Sequence, residues 1–491
     1  MKKAILLLTI FSFLTACDKD FEEINTNPTA ANDIEAKLLF STALLQGAGD
    51  PYQSEGPIMA YASCFVQHVA AVTFNWEGDK YFYNAFHNDV MFNGGYKQEV
   101  KSLVAVLDKV KDDPDQSNLY AAARIWEAVV FQRLTDLYGD VPHSEAGRGF
   151  IDSNFKPVYD RQQDIYLDLL AGLEAATTAL DASKPFIGDA DFIFHGDVEK
   201  WRRFGNTMML RLALRMVKAD PAAAEAWAKK AMAGGVMASL DDSALVPHSD
   251  GDILVQNGIG YFMAVEDNGR LCKTFVDWMK AANDPRLPVL SFVATGGEPK
   301  GLPNGLDLGM LTDLTGDTTV ESYSRINPAL VQRWTPTMMQ GYAEAELMLA
   351  EAAVRGWSND NPAVHYQNGV RAAMQQLALF DASAGISDTD IDSYLAAHPF
   401  APANTETALE HINTQYWAAT FLNELEAFAN WRRSGYPVLA PSNFPGNATG
   451  GVIPRRLRYP QAEFSVNGEN INAAIARQGA DDFLTRVWWD K

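Results

Sequence analysis

Apolar residues recur at intervals of three and four over most of this chain, a period that builds amphipathic helices and leaves little room for strands. From Leu119 to Leu137 the positions Leu119, Ala123, Trp126, Val130, Leu134 and Leu137 fall on one face, and Gly139 and Pro142 end the run. A second helix is expected from Asp160, through Ile165, Leu169, Leu173 and Ala176 to Leu180. A third is expected from about Val198 to Met216, and a fourth from Pro221 to the Gly234-Gly235 stop. The period returns at Met338, Tyr342, Ala345, Leu349 and Ala352, and again from Tyr366 to Phe380. Small residues such as Ala345, Ala352 and Ala353 allow paired helices to approach closely, as in tetratricopeptide hairpins, although no Trp-x-x-Leu-Gly consensus occurs. The expected fold class is therefore mainly all-α: helical hairpins over about 117–235 and 338–380 forming a scaffold.

Between these helix groups, about 241–337 is rich in Gly, Pro, Asp and Thr and is expected to be irregular. Long connections on a rigid frame are where binding residues concentrate. The rest of 37–491 reads as the same single body.

The N-terminus carries an address. Lys2 and Lys3 precede an uncharged, mostly apolar run from Ala4 to Leu14, too short for a membrane span and the right length for a secretory signal. It ends in Leu14-Thr15-Ala16-Cys17, which resembles a bacterial lipobox; residues 1–16 read as a signal peptide and Cys17 as the lipidation site. The polar, acidic stretch opening the 17–36 segment reads as a tether, since like charge keeps it off anionic headgroups. With 62 acids against 40 Lys and Arg, the net charge of −22 argues against a nucleic-acid partner.

Signatures of common chemistries are missing. The chain has no His-Glu-x-x-His, Gly-x-Ser-x-Gly or Gly-x-x-x-x-Gly-Lys, and its three cysteines form no Cys-x-x-Cys pair. Asp388-Thr389-Asp390-Ile391-Asp392 begins like a calcium loop, but Ser393 and Pro399 stand where Gly and Glu are needed. That segment reads as a helix start capped by Ser387 or Asp388. His68 and His87, nineteen apart without a carboxylate at helical spacing, read as surface or core residues. No catalytic residue, metal ligand or cofactor is assigned.

Landmarks spread in order along the chain resemble the SusD/RagB lipoproteins, in their SusD-like branch. They are Cys17 with Phe21-Glu22-Glu23-Ile24-Asn25-Thr26-Asn27-Pro28, Arg133-Leu134-Thr135-Asp136-Leu137-Tyr138-Gly139-Asp140-Val141-Pro142, and Lys200-Trp201-Arg202-Arg203-Phe204-Gly205-Asn206 with Leu210 to Arg215. They continue in Asp284-Pro285-Arg286-Leu287, Tyr342-Ala343-Glu344 to Glu351-Ala352, Asn430-Trp431-Arg432-Arg433-Ser434-Gly435-Tyr436-Pro437, and Pro454-Arg455-Arg456-Leu457-Arg458-Tyr459-Pro460. The resemblance implies a surface lipoprotein on tetratricopeptide-like helices that captures oligosaccharide for a SusC-like TonB-dependent transporter. The acidic tether also resembles the export signals of surface lipoproteins in the Bacteroidota, which implies the outer face of the outer membrane. Some relatives capture peptides instead, a RagB-type alternative. A surface glycoside hydrolase is a third reading, because paired carboxylates leave no trace in spacing. The landmarks themselves read as structural, with Arg455, Arg456 and Arg458 expected in ion pairs near Asp136, Asp140 or Glu463.

Sugars lay C–H faces on aromatic rings and pair hydroxyls with planar polar side chains. Nine of the eleven Trp lie in helical or landmark segments or in the closing Trp488-Trp489 pair, and read as packing residues. The remaining two, Trp76 and Trp334, are the expected ligand contacts, together with Tyr81 beside the first and Tyr261 on a Gly-flanked loop.

Overall fold

A computed structural model describes residues 34–491; the signal segment, Cys17 and most of the tether lie outside the described residues. The frame is a succession of helices, each packed on the next. Helices α1 (Ala36–Gly47) and α2 (Lys101–Val110) flank α3 (Ser117–Tyr138), which is followed by α4 (Gln162–Ala179), α5 (Val198–Arg215) and α6 (Pro221–Gly234). The turn chemistry explains the boundaries. Asp197 caps α5 by accepting from the amides of Glu199 and Lys200, and Asp220 caps α6 ahead of Pro221, whose missing N–H costs nothing in a first turn. Helix α5 sits close to α3 and α4 because position 205 is glycine: a Cβ there would overlap Thr177 and Ile125.

The second half supplies α7 (Gly258–Val265), α8 (Lys273–Ala281), α9 (Tyr342–Val354), α10 (Pro362–Gln375), α11 (Asp388–Ala397), α12 (Thr405–Ala419) and α13 (Glu424–Ser434). Helix α9 packs on α10 and α12 and touches α5, joining the two helix groups. Ser387 caps α11 by accepting from the Asp390 amide, so the calcium-like run is a helix start. The period extrapolated back to Met338 is wrong there, because Thr337–Gln340 is a strand paired antiparallel with Ala244–Val246. Four residues are too short a stretch to tell the two periods apart.

That strand pair closes the base of a long excursion, 247–336, which is more ordered than its composition suggests. It contains α7, α8 and the helix Leu308–Thr315, and it covers a small core of its own made by Ala70, Val72, Cys272, Leu302, Leu311, Val320 and Tyr323. The principal core is one continuous cluster running from Ala36 to Trp489. Among the described residues, no helix is long and apolar enough to cross a membrane.

Candidate ligand-binding site

Trp334 lies on the excursion, between the turn Pro328–Leu330 and the strand Thr337–Gln340. Asn257, the cap of α7, holds it from both sides. The Asn257 side chain accepts from the Gly260 amide, its backbone N–H donates to the Arg333 carbonyl at 2.7 Å, and its Nδ2 donates to the Thr335 carbonyl at 2.8 Å. The Gln332 carbonyl then rests against the backbone of α7, an approach that only glycine at 260 permits. His248 braces the far end: Nδ1–H donates to the Val255 carbonyl at 3.2 Å, and Nε2 accepts from the Thr337 hydroxyl at 2.9 Å, the tautomer that satisfies both partners. Burial drives the His248 pKa down to about 4, so the ring is neutral in this arrangement.

The result is an indole 51% exposed at the mouth of a recess of about 320 Å³. Met263, Ala264 and Val331 give the recess apolar walls, and Asp250, Asp267, Arg325 and Arg333 bring acceptors and donors to its rim. Arg325 bridges Asp267 at 2.8 Å and Glu321 at 3.0 Å, and its Nε has no protein partner. Tyr261 is half-buried on α7, not on a loop as expected, because Asn257 and the two glycines start a helix there. The Arg333 guanidinium lies 5.5 Å from its ring centroid, which brings Tyr261, Arg333 and Trp334 to one face.

The face continues beyond the recess. Next to Asp267, Glu266 accepts from Asn75 Nδ2 at 2.6 Å and from the Asn268 backbone amide at 2.9 Å. Beside Asn75, the Phe74 ring is 58% exposed and stacked on Phe82, with Phe444 edge-on to both. A row of planar polar groups therefore connects two exposed aromatic rings.

Trp76 and Tyr81 correct the sequence reading. Trp76 is fully buried, its ring 5.4 Å from Phe262 and against Gly269, so it presents no face to a ligand. Tyr81 is buried as well, its hydroxyl accepting from the Ser442 amide. The aromatic and polar alternation around Trp76 marks a chain folded under α7. Phe74, two residues away, is the exposed ring of that segment. Of the four expected contacts, Trp334 lines the recess, Tyr261 lies under Arg333 beside it, and Trp76 and Tyr81 are in the interior. Arg333 was legible beside Trp334; Arg325, Asp250 and Asp267 carried no signal of their own.

The arginines near the C-terminus pair, but with other acids than expected: Arg455 with Asp490, and Arg456 and Arg458 with Asp481. Asp136 and Asp140 instead face Arg215 and Arg477, and Glu463 accepts from the Tyr159 hydroxyl. His68 and His87 are buried beside Glu424 and Glu77, carboxylates remote from helical spacing. Among the described residues, no group of three or more His, Cys, Asp or Glu could hold a metal ion.

Comparison with known proteins fits this architecture. The sequence profile of the family SusD-like_2, described as starch-binding and associating with the outer membrane, matches residues 28–460. No curated protein matches. A solved chitin-binding protein is 35% identical, with a TM-score of 0.85 over 93% of this chain and 100% of that one. A chitin-binding SusD homolog from Flavobacterium johnsoniae is 25% identical, with a TM-score of 0.79 over 93% of this chain and 98% of that one. A SusD-like protein from Bacteroidetes AC2a is 28% identical, with a TM-score of 0.83 over 93% of this chain and 100% of that one. Matched by that profile over most of its length, the chain belongs to the SusD-like family, whose description is starch-binding and associated with the outer membrane.

Proposed function

We propose that this protein captures an oligosaccharide at the Trp334 recess and passes it to a SusC-like TonB-dependent transporter, anchored outside the cell through Cys17 and catalysing no reaction. The observation that carries the reading is the half-exposed Trp334 indole over a recess with apolar walls and a rim of paired carboxylates and guanidiniums. Such a surface offers a sugar ring its stacking face and its hydroxyls both donors and acceptors. N-acetylglucosamine oligomers are the first ligands to test, because two similar structures are named for chitin binding. Their acetamido group asks for an apolar contact beside a donor and an acceptor, and Met263, Arg325 and Asp267 supply that set.

The same rim argues against the glycoside-hydrolase reading. Asp250 and Asp267 have side chains 57% and 61% exposed and each sits beside an arginine. A general acid needs the opposite, a carboxyl in a dry pocket that keeps its proton.

The test is a binding screen of the mature chain carrying Cys17→Ala against chitin, starch and other oligosaccharides and against peptides, with recovered ligand analysed for cleavage. Binding of an intact oligosaccharide is expected. Binding of peptides alone establishes the RagB-type role, and shortened products make the protein a hydrolase. Recovery of a large β-barrel with the native lipoprotein in mild detergent checks the transporter partnership, and its absence at native expression contradicts it.

A further inference from the structure

A second recess, of about 290 Å³, opens where α8, α10, α11 and α12 meet, and it shares no lining residue with the Trp334 recess. Trp278, Tyr366 and Tyr394 form its walls, and Gln415 lies in its lining with Glu410 exposed at the edge. These rings are held in place by a buried polar network. Arg286, 1% exposed, grips Asp284 through Nε at 3.0 Å and Nη2 at 2.6 Å, and Nη2 also donates to Gln415 Oε1 at 2.9 Å. Gln415 Nε2 in turn donates to the Tyr394 hydroxyl at 3.1 Å. The Arg286 guanidinium lies 5.7 Å from the centroid of Trp278, and its Nη1 has no protein partner. At the rim His398 Nε2 is tied to the Ala282 carbonyl at 2.8 Å, with its ring 4.5 Å from that of Tyr394.

Core packing alone does not ask for this arrangement. A half-buried Trp and an amide fixed by a buried arginine are preorganised groups, and preorganisation lowers the cost of binding. The chemistry also selects the ligand. Asp284 neutralises Arg286, so no buried charge calls for a counter-ion, and Glu410 at the edge disfavours an anion. A neutral ligand with an apolar face for Trp278 and hydroxyls for the exposed Glu410 carboxylate suits this lining, and the volume suits one ring. We infer that this recess is a second carbohydrate site, binding a single neutral pyranose ring independently of Trp334.

Saturation-transfer NMR tests this on the mature chain carrying Cys17→Ala, with the methyl glycosides of glucose, galactose, mannose, xylose and N-acetylglucosamine. Each is supplied at about 10 mM, above the ~1 mM dissociation constant expected of a single-ring site. The variants are Trp334→Ala, Trp278→Ala and Thr414→Phe, the last filling the recess from α12 while keeping the Trp278 wall. At least one glycoside should give a signal that survives Trp334→Ala and falls about tenfold in affinity in both Trp278→Ala and Thr414→Phe. Failure of every glycoside to give a Trp334-independent signal overturns the inference, as does an affinity left undiminished in Thr414→Phe. Loss on Trp334→Ala alone speaks to the first recess, so the two readings fail separately.

Discussion

Trp76 and Trp334 are the same residue in opposite surroundings, and substitutions should separate them. Trp76 fills a site closed by Phe262 and Gly269, so Trp76→Ala opens a cavity and should cost about 3–5 kcal/mol of stability by chemical denaturation. Trp334→Ala removes a half-exposed ring and should cost about 1 kcal/mol or less. Equal losses would mean that the burial contrast is wrong. In the sequence the two looked alike, because the residues that cover Trp76 come from α7 and the turn after it, nearly two hundred positions later. His248 gives a second residue-scale test. Its folded pKa of about 4 lies below the unfolded value of about 6.5, so its contribution to stability is whole above about pH 6.5 and drains as the pH falls toward 4. Proton NMR should find the His248 ring titrating near pH 4; a midpoint near 6.5 would remove the neutral-histidine brace.

At the scale of elements, the site depends on how α7 meets the Trp334 segment. Gly260→Ala drives a methyl into the Gln332 carbonyl and should cost about 1–3 kcal/mol, with weakened glycan binding although residue 260 carries no side chain to contact a ligand. Unchanged stability and affinity would show that the close approach does not position Trp334. Long helices such as α3 and α5 were legible because their period repeats over several turns and ends in a cap or a glycine. The strand Thr337–Gln340 and helix α7 were not, since four or eight residues fit either period and tertiary pairing decides. Arg325 and Asp267 escaped for a related reason: they meet across 58 positions through folding alone.

At the scale of the molecule, several of the described landmark segments that carried the family resemblance meet in buried ion pairs between helices. Arg211 of α5 pairs with Glu344 of α9 at 2.6 Å, Arg215 with Glu426 of α13 at 2.6 Å, and the Tyr416 hydroxyl lies between the two glutamates, 2.8 Å from one and 2.9 Å from the other. Arg433 of α13 holds Glu351 of α9 through two hydrogen bonds, at 2.6 and 2.9 Å. The sequence showed these segments to be landmarks and suggested a structural role; which charges meet is a property of the assembled helices. Burial pushes the Glu344 carboxyl up while the Arg211 charge opposes it, so Arg211→Met leaves that acid facing mainly Tyr416. The expected loss is about 3–5 kcal/mol, read by denaturant unfolding at neutral pH, and a loss under about 1 kcal/mol would contradict the role of these pairs.

The ion pairs hold the frame, the frame presents the excursion, and the excursion presents Trp334, which is where the functional account stands or falls. Calorimetric titration of an oligosaccharide that binds the mature chain, compared between wild type and Trp334→Ala, tests it most directly. The account predicts that affinity falls at least about tenfold, or 1.4 kcal/mol, with the fold and melting behaviour kept. Undiminished affinity in a folded Trp334→Ala protein would place capture elsewhere and contradict it.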